Sequence, residues 1–237
     1  MIIRWLIRRL ILAALLLAVL AAAAVYFAGN ALLRAGLEYA AGQALGTPAQ
    51  VDSASIGWLD SRVSIGGFVI GNPPGYTGKE LARLERGLAA ASPLSLLGGE
   101  IAVSELTLEG LTLTLEARVL PPGSNLTDVL AALKSRAAGA GAGRRFRLEK
   151  VVVRRLRARL LAPGGKAAEK DLPDFELRDV RSAAGGPAAL EDILFQVLSA
   201  AGRRALEKEG LPLPSGLRGL LNGGLDAAGD VLREVLR

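Results

Sequence analysis

The densest group of side chains able to do chemistry is a run of carboxylates, Asp171, Asp174, Glu176 and Asp179. Such groups bind a metal or act as an acid/base pair only when they converge in a cleft. In an extended strand Asp174 and Glu176 share one face, and Asp171 and Asp179 share the other. Arg178 and Arg181 lie alongside. The pattern predicts a solvated, self-neutralised strand rather than a metal site. Gly139, Gly141 and Gly143 imitate a phosphate loop in composition, but no Lys-Ser/Thr pair follows, and they read as linker. The chain has no cysteine and no histidine. Thiolate nucleophiles, imidazole bases, Ser-His-Asp triads and the usual zinc and haem ligands are therefore excluded. With no catalytic constellation in view, the expectation is a protein that is not an enzyme and uses neither metal nor cofactor.

Charge points to no nucleic-acid partner. The net charge is +6, from 29 Lys+Arg against 23 Asp+Glu. The basic cluster from Arg144 to Arg159 lacks the interleaved Trp or Tyr on which bases stack.

The elements that would position any site begin with a membrane segment. Arg4, Arg8 and Arg9 precede an uncharged run whose apolar core is Leu10 to Phe27 and includes Leu15, Leu16, Leu17 and Leu20. A helix rises about 1.5 Å per residue, so some twenty such residues cross a hydrocarbon core of roughly 30 Å. Arginines on the N-terminal side alone predict a cytoplasmic N-terminus. Residues 1–29 thus read as a cytoplasmic tip and single-pass anchor. The rival is a cleaved signal peptide, for which Ala21 to Ala24 offers small residues; signal h-regions of about 7–15 residues are shorter than this run. A connecting helix is expected within 30–48, over Ala31 to Leu45, with Asn30 as its N-cap.

From residue 49 the apolar period becomes two, and a sheet domain is expected over 49–183. Val63 and Ile65, then Phe68 and Ile70, alternate with small or polar residues, and Gly66-Gly67 shifts the phase as a bulge would. Ala82, Leu84 and Leu88 suggest another strand. Leu106 and Leu108 are followed by Leu111, Leu113 and Leu115, with a bulge or tight turn expected at Glu109-Gly110. An inserted helix over 125–137, capped by Asn125 or Thr127, precedes a Gly/Ala linker at 137–144. Strand character returns at Phe146 to Val153, then at Leu156, Ala158 and Leu160, with a hairpin turn at Pro163-Gly164-Gly165 and a further segment Leu172 to Val180. Residues 184–237 read as two amphipathic helices around a Pro-containing loop. Their acids and bases nearly balance, which favours packing on the sheet over binding a membrane surface. The fold class expected is α+β: a transmembrane helix, a mainly antiparallel, curved and groove-like sheet of about ten strands, a short internal helix and the C-terminal pair. Strands with one apolar face make either an ordinary core or a groove for acyl chains, and patterning does not separate these.

The order of short motifs resembles a known family. A membrane anchor leads to Leu45-Gly46-Thr47-Pro48-Ala49-Gln50-Val51, then to the turn Asn72-Pro73-Pro74-Gly75-Tyr76, then to Pro93-Leu94-Ser95-Leu96-Leu97, and then to Ser124-Asn125-Leu126 opening a helix. Over roughly residues 1–180 this is similar to the AsmA-like proteins of Gram-negative bacteria, relatives of bridge-type lipid transfer proteins. The resemblance implies an inner-membrane anchor, a periplasmic body and an apolar groove that binds or helps move phospholipids. The turn residues would be structural, and the lipid contacts would come from Leu106, Leu108, Leu111, Leu113, Leu115, Leu156 and Leu160. The partners implied are membrane phospholipids and either a second copy or a longer envelope lipid-transport protein. The alternative is a structural or regulatory envelope protein that moves no lipid and acts through protein contacts.

Overall fold

The computed structural model describes residues 16–17, 28–57, 60–91, 99–118, 123–137, 145–161, 167–182 and 187–207. Arg4, Arg8, Arg9, Leu10, Leu15, Leu20 and Phe27 lie outside these, as do the 138–144 linker, the 163–165 turn and the last helix expected after residue 216. Leu16 and Leu17 are helical and exposed. Among the described residues no helix is long and apolar enough to cross a membrane.

Among the described residues the fold is α+β, with three helices and an open, mostly antiparallel sheet. Helix α1 covers residues 28–45. The strands are β1 (Ala49–Gly57), β2 (Arg62–Gly71), β3 (Glu80–Ala91), β4 (Glu100–Arg118), the short β5 (Gly123–Ser124), β6 (Arg145–Arg154), β7 (Leu156–Leu161), β8 (Ala167–Leu172) and β9 (Phe175–Arg181). Helix α2 (Asn125–Ala137) follows β5, and α3 (Pro187–Glu207) follows β9. The expectation of about ten strands side by side is corrected. Strands β6 and β7 run on as one lane beside the 19-residue β4, interrupted at Arg155, and β9 and β8 form the next lane. Six lanes at about 4.8 Å spacing give a width near 24 Å. Neighbours are antiparallel except β4 against β6 and β7. The chain reaches that parallel lane through α2, as a parallel junction requires.

One transverse seam explains the phase flips. Along each lane the inward side chains recur every second residue, apart from a second step of three in β4, β6 and β9 (Val103 to Leu106, Leu148 to Val151, Leu177 to Val180), and one step of three crosses every lane. The crossing steps are Val51 to Ala54, Ile65 to Phe68, Leu84 to Gly87, Leu108 to Leu111, Val153 to Leu156 and Leu172 to Phe175. These positions are register partners: Val51 faces Phe68, Phe68 faces Leu84 and Leu84 faces Leu111, while across the seam Ile65 faces Gly87, Gly87 faces Leu108 and Leu108 faces Val153. The expected bulges at Gly66-Gly67 and Glu109-Gly110 are corrected, because the register runs through both without a shift. Backbone rotation does the work instead: Gly67 has φ 63 and Gly110 has φ 70. A side chain is disfavoured in that region. Arg155 performs the same rotation with φ 52. Leu88, expected with Ala82 and Leu84, lies beyond the seam and faces out at 39% exposure.

The two-residue outward steps carry charge. Arg155 pairs with Glu85 at 3.0 Å and Glu109 at 3.3 Å, and its N–H donates to Asp174 at 2.9 Å. The seam therefore keeps the inner face apolar from end to end and sends its charges outward.

The ends of the sheet are handled separately. Asn30 is not the N-cap of α1 but sits inside it, and its Oδ1 accepts from the Ile56 N–H of edge strand β1 at 3.0 Å. Glu38 accepts from Val51 N–H at 2.9 Å. Helix α1 thus seals an edge that would otherwise offer unpaired donors. The N-cap of α2 is Ser124, and the two expected caps each hold a group at the same end, Asn125 Oδ1 accepting from Leu126 N–H at 2.9 Å. Ser124 Oγ accepts from Thr127 N–H at 3.1 Å, and Thr127 Oγ1 accepts from Ser124 N–H at 3.0 Å, a reciprocal capping box.

Candidate functional site

The inner face of the sheet is covered by α2 and α3, which pack on each other. Leu126, Val129, Leu130 and Leu133 of α2 are fully buried. Helix α3 is tied down toward β9: Gln196 Nε2 donates to Arg181 O at 2.9 Å, and the Arg204 guanidinium stands 5.7 Å from the Phe175 ring centre. Toward β2, β3 and β4 the packing is incomplete. There a cavity of about 110 Å³ lies between Ile193, Leu194, Val197 and Leu198 of α3 and Phe68, Ile70, Ala82, Leu84, Leu106, Leu108 and Leu111 of the sheet. Its lining is almost wholly apolar. Its walls offer water no polar partner, so an apolar occupant suits the space better than water does.

Of the seven leucines expected to touch lipid, Leu106, Leu108 and Leu111 line this cavity. The structure places Leu113, Leu115, Leu156 and Leu160 elsewhere, sealed in the core at 0 to 4% exposure. Sequence patterning ranked all seven alike because alternation reports the inward face and not what covers it. Phe68, Ile70 and Leu84 carry the same alternation and also line the cavity. The α3 contribution was visible as the i, i+3, i+4 pattern of Leu190, Ile193, Leu194, Val197 and Leu198 but had no assigned place on the sheet.

The turn residues meet at one end of the sheet in a polar clasp. Asn125, fully buried, accepts from the N–H groups of Glu116 and Leu126, each at 2.9 Å. It donates to Thr114 O at 2.7 Å and to Asn72 Oδ1 at 2.8 Å. Asn72 in turn donates to Gly78 O at 2.8 Å. The buried Glu116 carboxylate accepts from Thr77 N–H, Thr77 Oγ1 and Gly78 N–H at 2.7 to 2.8 Å. Burial pushes its pKa up, but the hydrogen bonds from Thr77 and Gly78 outweigh that and hold the carboxyl below its usual range. Tyr76 donates to Asp128 at 2.7 Å, and Arg118 pairs with Asp128 while standing 5.1 Å from the Tyr76 ring centre. Burial, with the hydrogen bond and charge of Asp128, pushes the Tyr76 phenol well above its usual value, so it stays a neutral donor. Pro73, Pro74 and Gly75 form the loop between these partners. The clasp joins residues some fifty positions apart, and its polar groups are engaged with one another.

The carboxylates of the C-terminal strands are spread over ion pairs. Asp171 pairs with Arg157 at 2.8 Å, Glu176 with Arg178 and Lys150, and Asp179 with Arg181 and Arg147. Among the described residues no group of three or more metal-ligating side chains converges. Comparison with protein-family models, with curated proteins and with solved structures gives no match to this chain.

Proposed function

We propose that this chain is a membrane-anchored, AsmA-like envelope protein that holds a phospholipid acyl chain against the inner face of its sheet. The observation that carries the reading is the cavity between α3 and strands β2 to β4, lined by apolar side chains alone. The apolar Leu10 to Phe27 segment with its flanking Arg4, Arg8 and Arg9 supports an inner-membrane anchor with the body in the periplasm. The anchor would hold that body beside the lipid it takes up. At about 110 Å³ the cavity takes a few carbons of one chain. It is of the order of the ~150 Å³ engineered cavity that accepts benzene. A sheet near 24 Å wide does not bridge two membranes, so movement of lipid over a distance would need further copies or a longer envelope partner.

The test uses the full chain in living cells fed a photoactivatable fatty acid, followed by purification and peptide mapping of the crosslinks. Label on the segments 68–70, 106–111 and 193–198 is the expected result. Label confined to residues 10–27 would report only the lipid around an anchor and would overturn the reading.

One observation favours a second reading. Helices α2 and α3 already cover most of the inner face. A structural or regulatory protein that carries no lipid would look like this, and it would show protein partners on affinity isolation with the cavity segments unlabelled.

A further inference from the structure

We infer that α3 is the movable wall of the acyl-chain site, which admits a chain by swinging away from β2–β4 while staying held along its β9 side. The inference rests on the acyl-chain reading above. Its basis is the asymmetry of how α3 is attached. On one side are directed contacts: the Gln196 to Arg181 hydrogen bond, the Arg204–Phe175 stacking and the packing on α2. On the other side Ile193, Leu194, Val197 and Leu198 face Leu84, Leu106, Leu108 and Leu111 across empty space. Apolar contacts have no preferred direction, so these four side chains can part from the sheet and meet it again without breaking a hydrogen bond of their own. A chain sliding in replaces the lost contacts with equivalent ones. Parting on the β9 side would instead strip the partner from the Arg181 carbonyl.

The geometry also sets the direction of entry. Beyond the cavity, toward edge strand β1, the inner face continues through half-buried Ile65, Val63, Ala54 and Ile56. Helix α1, which follows the Leu10 to Phe27 segment in sequence, lies along that same edge. A chain coming from the anchored side reaches the parting line of α3 first, and the tethered side last.

The chain has no cysteine, so crosslinks can be placed without background. Leu84→Cys with Leu194→Cys puts one thiol on each wall of the cavity, and a short reducible bismaleimide can join them. The full chain is then labelled with the photoactivatable fatty acid, linked or reduced, and the 106–111 segment is read. The expected result is a loss of label of at least about tenfold on linking, because the competent open state is removed, with recovery on reduction. Equal labelling in both states overturns the movable wall and leaves the acyl-chain site standing. Absence of label from the unmodified chain sinks the acyl-chain site itself. A second pair, Phe68→Cys with Val197→Cys, guards against a substitution that spoils the cavity, and the inference requires both pairs to respond alike.

Discussion

At the scale of single residues, Glu116 and Asn125 tie together segments far apart in the chain. Each is buried and satisfies backbone groups on separate segments. Asn125→Ala would strand the Glu116 N–H and the Thr114 carbonyl, and a cost of about 2–4 kcal/mol in denaturant unfolding is expected. Glu116 adds a pH signature. Its carboxyl is held below the usual range in the folded state, so the folded protein binds fewer protons than the unfolded chain. Its contribution is present in full above the unfolded value near 4.5 and is lost as pH falls through the folded value. Glu116→Gln should therefore lower stability at pH 7 by about 1–3 kcal/mol and flatten the acid limb of the stability curve. An acid limb as steep as that of the unmodified protein would contradict the assignment. Gly110→Ala tests the seam. A methyl at φ 70 would also meet the Glu85 side chain. A loss of roughly 1–2 kcal/mol is expected, chiefly from the backbone, since Glu85 is flexible and can move aside.

At the scale of elements, α1 closes the β1 edge through Asn30 and Glu38. Replacing both by Ala should speed hydrogen exchange at the Val51 and Ile56 amides and raise self-association, while amides of β4 keep their protection. Unchanged exchange at those two amides would mean that α1 does not seal the edge. The elements also show what a sequence can and cannot reveal. The inward leucines of β4 and the phase change at Gly110 are legible because glycine marks the rotation. The same three-residue step in β3 and in the β6–β7 lane falls on Glu85-Arg86 and Arg154-Arg155, where no glycine signals it, so one continuous seam read as two unrelated bulges. The lane count failed for a related reason. Arg155 interrupts hydrogen bonding without turning the chain, and an interruption reads like a strand end. The clasp was legible as motif residues, but their meeting was not, because nothing local in Asn72 specifies a partner at Asn125. The cavity was least legible of all, since it depends on where α3 fails to fill space.

At the scale of the whole molecule, the cavity sets stability against binding. Space left unfilled between α3 and the sheet forgoes contacts that a filled interior would make. Ala82, at 2% exposure, lines the void beside Leu84. Ala82→Leu places added carbons into empty space, each worth up to about 0.8 kcal/mol before strain is deducted. A gain of roughly 1 kcal/mol in thermal or denaturant unfolding is expected, together with loss of fatty-acid label from the 106–111 segment. The two readouts move in opposite directions only if the space is reserved for a ligand. Greater stability with undiminished labelling would place the acyl chain elsewhere on the inner face. Lower stability would show that the sheet and α3 close over the space in solution. A polar substitution such as Ala82→Ser separates volume from polarity. It adds little bulk but leaves a hydroxyl with no partner in the apolar lining, so stability should fall by about 1–3 kcal/mol. Label should fall with it, because an apolar chain entering the site cannot satisfy that hydroxyl any better than the void does.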